Sequence, residues 1–288
     1  MSEQNQRPIP VTRQMVARAY HQVKRKGGSS GVDGESLSVF ERQLSRKLYK
    51  IWKRMWSGSY FPPAVKEVEI PKANGQKRPL GIPTVGDRVA QSVVKMYIEE
   101  RLEQVFDEHS YGYRPSRSAH DAIKQVRQNC RSYAWVLDLD IKSFFERIDH
   151  SLLMQAVEKH VEEKWVKMYL QRWLAMPIEK SNGKRVKRQG RGTPQGGVIS
   201  PLLANLFLHY VLDKWLNRHY RAVKFVRYAD DTIIHCASQG QAEKLLEQVT
   251  KRLKACKLDL NREKTQLVYC KDYRRKGKDR KVRFDFLG

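Results

Sequence analysis

The 288-residue sequence predicts a mixed fold in which strands alternate with helices, either α+β or α/β. Residues 65–71 alternate polar and apolar side chains as a strand does, and residues 135–141 are an apolar strand interrupted by two aspartates. Residues 87–106 and 241–257 instead repeat apolar side chains at helical spacing. Periodicity alone leaves both fold classes open.

The balance of charge is strongly positive. Lys and Arg total 56 against 31 Asp and Glu, which gives a net charge of +25 and an isoelectric point near 10.0. Such an excess repels itself in a compact fold, so a polyanionic partner is the simplest reason for it. A protein merely kept soluble by lysines is the alternative, and the clustering of the basic residues argues against it.

The cysteines and the start of the chain bear on its cellular environment. The four cysteines form no Cys-x-x-Cys pair and have no histidine at zinc-ligand spacing, which favours a reduced protein over a disulfide framework. The first ten residues lack the apolar core of a secretory signal. No apolar run approaches the length of a membrane span, so we expect a soluble intracellular protein with no membrane partner.

Two helices are expected before the first strand. Apolar side chains recur at helical spacing in residues 12–26, and the turn-rich residues 27–36 end that helix. Residues 40–55 form a second pattern with one apolar and one basic face, which suits a helix that contacts phosphates; a merely solvated face is the alternative. The basic residues are Arg42, Arg46, Lys47, Lys50, Lys53 and Arg54.

A β-hairpin is expected next. Residues 65–71 and 78–83 are its strands, and residues 73–75 are the turn. Lys72 and Arg78 flank the tip, where their charges are available to phosphate groups. An ordinary solvated tip is the alternative.

The remaining sequence alternates further helices and strands. Helices are expected at residues 87–106, 118–130, 150–175, 201–219 and 241–257, and strands at 135–141, 223–236, 267–270 and 282–287. Residues 180–191 form a basic loop or hairpin, and residues 271–283 are a second basic run.

Two pairs of aspartates are candidates for metal chemistry. Asp230 and Asp231 are adjacent at a tight turn between two apolar strands, where their repulsion requires a neutralising partner such as a divalent ion. A surface β-turn is the alternative for this pair alone. Asp138 and Asp140 lie on the same face of an apolar strand, where a charge is costly to bury unless it is paired or metal-bound. Together these carboxylates can hold two Mg²⁺ ions roughly 3.5–4 Å apart.

The carboxylates belong to an ordered series of motifs. Residues 228–231 (Tyr-Ala-Asp-Asp) resemble the catalytic hairpin of reverse transcriptases, residues 140–145 their first catalytic strand, and residues 192–201 the segment between the two. Other segments resemble, more narrowly, the group II intron-encoded reverse transcriptases, or maturases. These segments are residues 31–34, 70–72, 78–83, 111–121 and 284–288.

The resemblance implies an α+β fold with the fingers and palm of a right-hand polymerase, the palm being an antiparallel sheet packed on helices. The implied division is a basic, RNA-binding helical extension over residues 1–60, fingers over 61–130 and a palm over 131–288, with part of the fingers near 155–195. Full-length relatives continue into a helical thumb and a maturase region. We expect this chain to lack both and therefore to polymerise weakly or without processivity.

The resemblance also implies roles for the carboxylates. Asp140 and Asp230 would bind both Mg²⁺ ions, with Mn²⁺ as a substitute, and Asp231 would bind one ion or act through its charge. Asp138 is expected to support these ligands or to be a structural charge.

Further residues are implied in binding the substrates. Lys72 and Arg78 would hold the triphosphate of the incoming dNTP, and Gln195 would contact its sugar or the templating base. Phe145 would be a steric gate that leaves no room for a 2′-hydroxyl, although a core aromatic residue is the alternative. The strand that positions the primer end would consist of Phe286, Leu287 and Gly288.

The implied activity is that of an RNA-directed DNA polymerase within a group II intron-encoded maturase, which also binds intron RNA and assists splicing and mobility. Its partners would be group II intron RNA, an RNA template with a DNA primer, and dNTPs, in the bacterial cytoplasm near the nucleoid or ribonucleoproteins; a homodimer is left open. The alternatives are a non-catalytic RNA-binding splicing cofactor and a retron, CRISPR-associated or diversity-generating reverse transcriptase.

Overall fold

A computed structural model describes residues 8–71, 75, 77–271, 275 and 281–287. The chain divides into two compact units. The first unit comprises Met1–Arg101 and Val157–Ser200, and the second comprises Leu102–Ala156 and Pro201–Gly288. The domain boundaries expected at residues 60 and 130 stay predictions.

The first unit begins with three helices: α1 (Arg13–Lys26), α2 (Leu37–Glu41) and α3 (Leu44–Trp56). The Thr12 side chain caps α1 by accepting a hydrogen bond from the Met15 amide, and Gly27 ends the helix with a positive φ of 65°. The apolar face of α1 is buried, as its spacing predicts. The pattern over residues 40–55 folds as the end of α2 followed by α3, since Gln43 leaves the helical conformation between them.

A four-stranded sheet of the first unit contains the predicted hairpin. Strands β1 (Val65–Pro71) and β2 (Lys77–Ile82) pair antiparallel. Strand β4 (Ile178–Glu179) pairs parallel to β1 and antiparallel to β5 (Arg185–Val186), so the basic residues 180–191 begin as a hairpin. Lys72 lies outside the described residues.

The core of the first unit contains a buried carboxylate. Asp87 lies in the first turn of α4 (Val85–Glu103) and is 1% exposed. It accepts hydrogen bonds from the Tyr60 hydroxyl (3.0 Å), the Trp173 indole (2.9 Å) and the Gln91 amide (2.8 Å). Trp173 belongs to α8 (Lys164–Ala175). Burial raises the pKa of Asp87, and the three donors oppose that rise.

The second unit is built on an antiparallel sheet with strand order β6-β7-β3-β8. The strands are β3 (Trp135–Leu139), β6 (Lys224–Tyr228), β7 (Asp231–Cys236) and β8 (Gln266–Tyr269). The central strand β3 pairs Asp138 with Ile233 of β7 on one side and with Gln266 of β8 on the other. The antiparallel sheet expected for a palm is therefore present.

Helices of the second unit cover this sheet. One apolar cluster joins Ala122 and Val126 of α5 to Val136, Val226 and Ile233 of the strands. The helices are α5 (Ala119–Ser132), α6 (Phe144–Arg147), α7 (His150–Glu158), α9 (Ser200–Leu208), α10 (Lys214–His219) and α11 (Gln239–Ala255). Among the described residues, none of the helices is both long and apolar enough to cross a membrane.

The helix expected at residues 201–219 contains a π-helical turn, His209–Asp213, between α9 and α10. A π turn widens the helix and displaces backbone carbonyls from their usual partners. Arg252 of α11 donates to two of these carbonyls, those of Tyr210 (2.9 Å) and Val211 (3.0 Å).

The strand expected at residues 282–287 is wrong, because in the described part of the chain residues 281–287 form no strand; the Tyr269 amide of β8 donates to the Lys281 carbonyl (2.9 Å). Phe284, Phe286 and Leu287 pack against the apolar cluster of the second unit. Their apolar side chains are thus partly buried by packing, which needs no strand pairing. Leu287 has a left-handed φ of 66°, which interrupts an extended backbone. Gly288, the last residue assigned to the primer-positioning strand, lies outside the described residues.

Candidate active site

Asp230 and Asp231 lie at the turn that joins β6 to β7. Tyr228 pairs with Asp231 across a two-residue turn formed by Ala229 and Asp230. Ala229 has a positive φ of 58°. Two-residue hairpin turns require a positive φ at the first turn position, which glycine adopts readily and alanine adopts only under strain. The hairpin thus holds its aspartates on a strained, sharply defined turn.

Asp140 is the residue immediately after β3. Its amide donates to the Thr265 hydroxyl (3.3 Å), and its carbonyl accepts from the Asn261 amide (2.8 Å). An isolated bridge between Ile141 and Leu260 follows. The segment before β8 therefore fixes the backbone of Asp140.

The structure gathers the predicted carboxylates around Asp231. Desolvation by the surrounding protein raises the pKa of Asp231 to about 6, and the negative charges of Asp230, Asp140 and Asp138 add to this effect. Lys264 opposes it, and its Nζ lies 3.2 Å from Asp140 Oδ2. The cluster is therefore rich in negative charge and holds one neighbouring ammonium group.

Asp138 has a polar partner of its own. Gln266, its neighbour on β8, donates a hydrogen bond to Asp138 Oδ2 (3.2 Å). Burial raises the pKa of Asp138, and Asp140 and Asp285 contribute to the rise. This arrangement is that of a supporting carboxylate, and the role stays a prediction.

The donor set suits Mg²⁺, since all of its ligands would be carboxylate oxygens. Within the described ranges, no group of three or more His, Cys, Asp or Glu side chains is arranged to hold a metal ion. Proteins bind Mg²⁺ through one or two carboxylates plus water and substrate phosphates, so a preformed cage is not needed. Asp140, Asp230 and Asp231 therefore fit the ion in chemistry and in charge.

Phe145 lies on α6 and is only 4% exposed. Its ring packs edge-to-face with that of Phe144 (centroids 5.4 Å apart) and that of Tyr113 (6.5 Å). Tyr113, in contrast, is 50% exposed and has a left-handed φ of 60°. Sequence reasoning missed Tyr113, the residue of this group that presents a ring to solvent.

Arg78 and Gln195 lie together in the first unit. Arg78 Nε donates a hydrogen bond to Gln195 Oε1, and the Gly81 amide donates to the Gln195 carbonyl (2.6 Å). A Cβ on Gly81 would lie 2.7 Å from Val65 Cγ1, and a Cβ on Gly196 would lie 2.5 Å from the Gly81 carbonyl oxygen. Glycine is therefore required on both sides of this contact. Two of the predicted nucleotide-binding residues are thus brought together.

The basic residues of α3 are mostly exposed, and Lys47 is the less exposed one. Lys47 forms an ion pair with Glu35. Beside the exposed residues, Arg13 lies over the rings of Tyr49 (5.1 Å) and Trp52 (4.5 Å), and Trp56 is 41% exposed. The surface of α3 therefore combines positive charge with accessible aromatic rings.

Sequence reasoning also missed a buried polar cluster behind the hairpin, formed by Asn205, Asp213 and Arg227. Arg227 is 0% exposed and forms an ion pair with Asp213. A signal was present, because Arg227 interrupts the apolar strand β6 as Asp138 interrupts β3. A charge at such a position needs a partner.

Comparison with known proteins identifies relatives. A family model described as "Reverse transcriptase (RNA-dependent DNA polymerase)" matches residues 70–288. Protein YkfC of Escherichia coli (strain K12) is 32% identical over 279 residues, covering 84% of this chain and 73% of that protein. Group II intron-encoded protein LtrA of Lactococcus lactis subsp. cremoris is 35% identical over 202 residues, covering 66% of this chain and 31% of that protein.

Solved structures with a similar fold include telomerases. Telomerase from Candida albicans, in complex with a fragment of telomeric RNA, matches with a TM-score of 0.61 at 15% identity, covering 87% of this chain and 47% of that one. Apo telomerase from Candida tropicalis matches with a TM-score of 0.59 at 12% identity, covering 81% and 50%. At these identities the likeness concerns the fold alone, and it confirms the predicted α+β class. The chain spans about half the length of these structures and about a third of LtrA.

Proposed function

Because the chain belongs to the reverse transcriptase (RNA-dependent DNA polymerase) family, we propose that it extends a DNA primer on an RNA template as part of a group II intron-encoded maturase. One observation carries this proposal. A strand-end aspartate, Asp140, and the hairpin pair Asp230 and Asp231 are gathered on one antiparallel sheet, close enough to shift the pKa of Asp231 upwards.

In the proposed reaction, the primer 3′-hydroxyl oxygen attacks the α-phosphorus of a dNTP, and the bond to pyrophosphate breaks. Asp140, Asp230 and Asp231 would hold divalent metal ions, which, when bound, activate the attacking oxygen and neutralise the leaving group. Lys264, already paired with Asp140, provides positive charge beside the carboxylates. Asp138, held by Gln266, would keep the neighbouring strand end in place.

The first unit would supply contacts to the nucleotide. Arg78 and Gln195 are joined by a hydrogen bond, so a triphosphate or sugar that contacted one side chain would also lie next to the other. Arginine binds phosphate oxygens with several charge-assisted hydrogen bonds at once. In the second unit, the Tyr113 and Phe145 pair would restrict the space around the sugar.

The surface of α3 would bind intron RNA. Its exposed basic residues suit phosphate contacts, and the exposed Tyr49 and Trp56 rings suit stacking on unpaired bases. Two of the relatives have names that connect them with introns: the group II intron-encoded protein LtrA and a nuclear intron maturase. Help with splicing and mobility is part of this proposal.

Primer extension tests the polymerase function directly. We expect the wild type to incorporate dNTPs on an RNA template, to prefer them over NTPs, and to require a divalent ion. Asp230→Asn and Asp231→Asn should each abolish incorporation and leave RNA affinity nearly unchanged. Glu243→Gln, at an exposed carboxylate on α11 of the same unit, is the control and should stay active. If RNA binding were retained in the wild type without any incorporation, the protein would instead be a non-catalytic RNA-binding cofactor.

A further inference from the structure

All three nitrogens of the Arg227 guanidinium donate to buried partners. Its Nε and Nη2 donate to the two carboxylate oxygens of Asp213 (2.7 and 2.6 Å). Its Nη1 donates to Asn205 Oδ1 (3.0 Å) and to the carbonyl oxygen of Ala229 (2.8 Å). Arg227 and Asp213 are 0% exposed, and Asn205 is 2% exposed. The bond to Ala229 ties this buried cluster to the turn that carries Asp230.

That bond acts on a strained residue. Ala229 holds a left-handed φ of 58°, a conformation that costs a residue with a Cβ roughly 1–2 kcal/mol. Strained backbone persists where the surroundings over-determine it, and it is concentrated at functional sites. The hydrogen bond from Arg227 offsets the strain at the position where the two aspartates are presented.

The cluster reaches a second segment through Asn205. Asn205 Nδ2 donates to the Gly112 carbonyl (2.7 Å), and the Tyr111 amide donates to the Arg227 carbonyl (2.8 Å). Gly112 lies directly on the turn, since a Cβ there would be 2.3 Å from the Ala229 nitrogen. The next residue is Tyr113, whose ring meets Phe145. One buried cluster therefore holds both the catalytic turn and the ring pair proposed to lie beside the sugar.

The π-helical turn places the acidic member of the cluster. Asp213 is the last residue of this turn, His209–Asp213. An added residue in a helix rotates every later side chain around the axis, and such turns often occur at functional sites. The two bonds from Arg252 to carbonyls of the turn stabilise this irregular backbone.

We propose that Asn205, Asp213 and Arg227 are positioning residues for the reaction, and that they set where the hairpin aspartates bind divalent metal and where Tyr113 stands. This inference rests on the proposed polymerase function. The competing reading is an ordinary buried ion pair that only stabilises the fold. A buried ion pair that is replaced by apolar side chains often leaves stability unchanged or improved. If the pair only stabilises the fold, such a replacement should therefore leave metal binding unchanged, whereas a positioning cluster should lose metal affinity even when stability is kept.

The test compares three variants by thermal unfolding, by Mn²⁺ affinity from electron paramagnetic resonance, and by primer-extension kinetics. Asn205→Ala keeps the ion pair and removes the link to Gly112. The double variant Arg227→Met with Asp213→Leu removes the anchor of Ala229 and fills the space with apolar side chains. Tyr60→Phe is the control, because it likewise removes one hydrogen bond from a buried carboxylate, that of Asp87 in the first unit.

We expect Asn205→Ala and the double variant to weaken Mn²⁺ binding by about 10–100-fold, as the loss of residues that orient metal ligands typically does. The turnover number should fall by a similar factor, with RNA affinity unchanged. Tyr60→Phe should lower the unfolding temperature, because Asp87 loses a donor, and should leave Mn²⁺ affinity within about twofold of the wild type.

The proposal is overturned if the double variant and Asn205→Ala keep wild-type Mn²⁺ affinity, or if Tyr60→Phe weakens it equally. It is also overturned if the wild type binds no Mn²⁺. A wild type that binds Mn²⁺ but extends no primer would refute the polymerase function alone, and the Mn²⁺ comparison would still decide the role of the cluster.

Discussion

Arg78 Nε donates a hydrogen bond to the side-chain oxygen of Gln195, joining residues 117 positions apart in the sequence. Because the bond uses only Nε, the guanidinium keeps its two terminal nitrogens for phosphate oxygens. It also fixes the amide of Gln195 at the same place. The two side chains should therefore act on a nucleotide as one unit.

We predict that Arg78→Ala raises the KM for dNTP by about 10–100-fold, the size of effect expected when a hydrogen bond to a charged group is lost. Gln195→Ala should have a smaller effect in the same direction. The double variant should be less than additive, because each single change already breaks the shared contact. Steady-state primer extension measures all three values.

Lys77→Ala is the matched control for this pair. Lys77 lies beside Arg78 on β2, is exposed, and pairs with Glu69 at the surface (2.7 Å). Such surface pairs contribute little, so the KM should not change. Fully additive effects of Arg78→Ala and Gln195→Ala would show that the two side chains bind separately.

The elements that sequence predicted correctly are those whose pattern is local. Strand β1 alternates along its own length, and the turn at Ala229 and Asp230 is framed by two apolar runs. The prediction of a strand at residues 282–287 was wrong for a related reason. Its alternating Phe284 and Phe286 pack against a cluster built from distant segments, and a local pattern cannot tell such packing from pairing.

The buried partners could not be predicted from local pattern. Arg227 signals that it needs an opposite charge, but the sequence does not say which carboxylate supplies it. Asp213 does so because a π turn presents it, and nothing in residues 201–219 departs from a regular helical pattern. Motif resemblance singled out the aspartates and Gln195, whereas the side chains that hold the aspartates in place became visible only in three dimensions.

The raised pKa of Asp231 makes a prediction about stability. The pKa is about 6 in the folded protein against about 3.9 for an unperturbed aspartate, so the folded state binds the proton more tightly. Asp231 therefore destabilises the metal-free fold above about pH 6, and this penalty disappears as the pH falls towards about 4. Asp231→Asn removes the penalty.

We expect Asp231→Asn, in the presence of a chelator, to raise the unfolding temperature at about pH 7.5 and to raise it less at about pH 5. Thermal unfolding followed by circular dichroism measures both. Glu243→Gln, on α11, controls for the loss of one exposed carboxylate in the same unit. A lower unfolding temperature for Asp231→Asn at both values would contradict the crowding of negative charge around this residue.

Sugar discrimination tests the ring pair. Phe145→Val replaces the ring that packs on Tyr113 with a smaller side chain. We therefore predict that the preference for dNTP over NTP falls by about 10–200-fold, the range for small changes in an apolar pocket. The ratio of kcat/KM for the two nucleotides measures it, because that ratio cancels any loss of folded protein. Phe144→Val is the matched control, since Phe144 is similarly buried (2% exposed) and packs on Phe207 as well as on Phe145.

If Phe144→Val relaxed the preference as much as Phe145→Val, general loosening of α6 would explain both results and the gate would be refuted. Tyr113→Ala adds a second check. Tyr113 is the exposed member of the pair, so its removal should relax discrimination at a smaller cost in stability than Phe145→Val.

RNA binding by α3 should have an electrostatic and a stacking part, which salt can separate. Replacing the exposed Arg46, Lys50 and Lys53 by Gln removes three charges. The slope of log affinity against log salt should then become shallower by about one for each lost phosphate contact. Trp56→Ala should instead weaken binding by about 1–3 kcal/mol, the contribution of one stacked base, with the slope unchanged.

A triple change of Lys244, Lys251 and Lys254 to Gln on α11 lowers the net charge of the protein equally and is the control, since all three are exposed. Titration of a structured RNA containing an unpaired loop, at several salt concentrations, compares the variants. If the α11 triple variant lost as much affinity as the α3 triple variant, only the overall charge would matter. If Trp56→Ala changed nothing on this RNA, its exposed ring would not contact bases, and binding through α3 would be electrostatic alone.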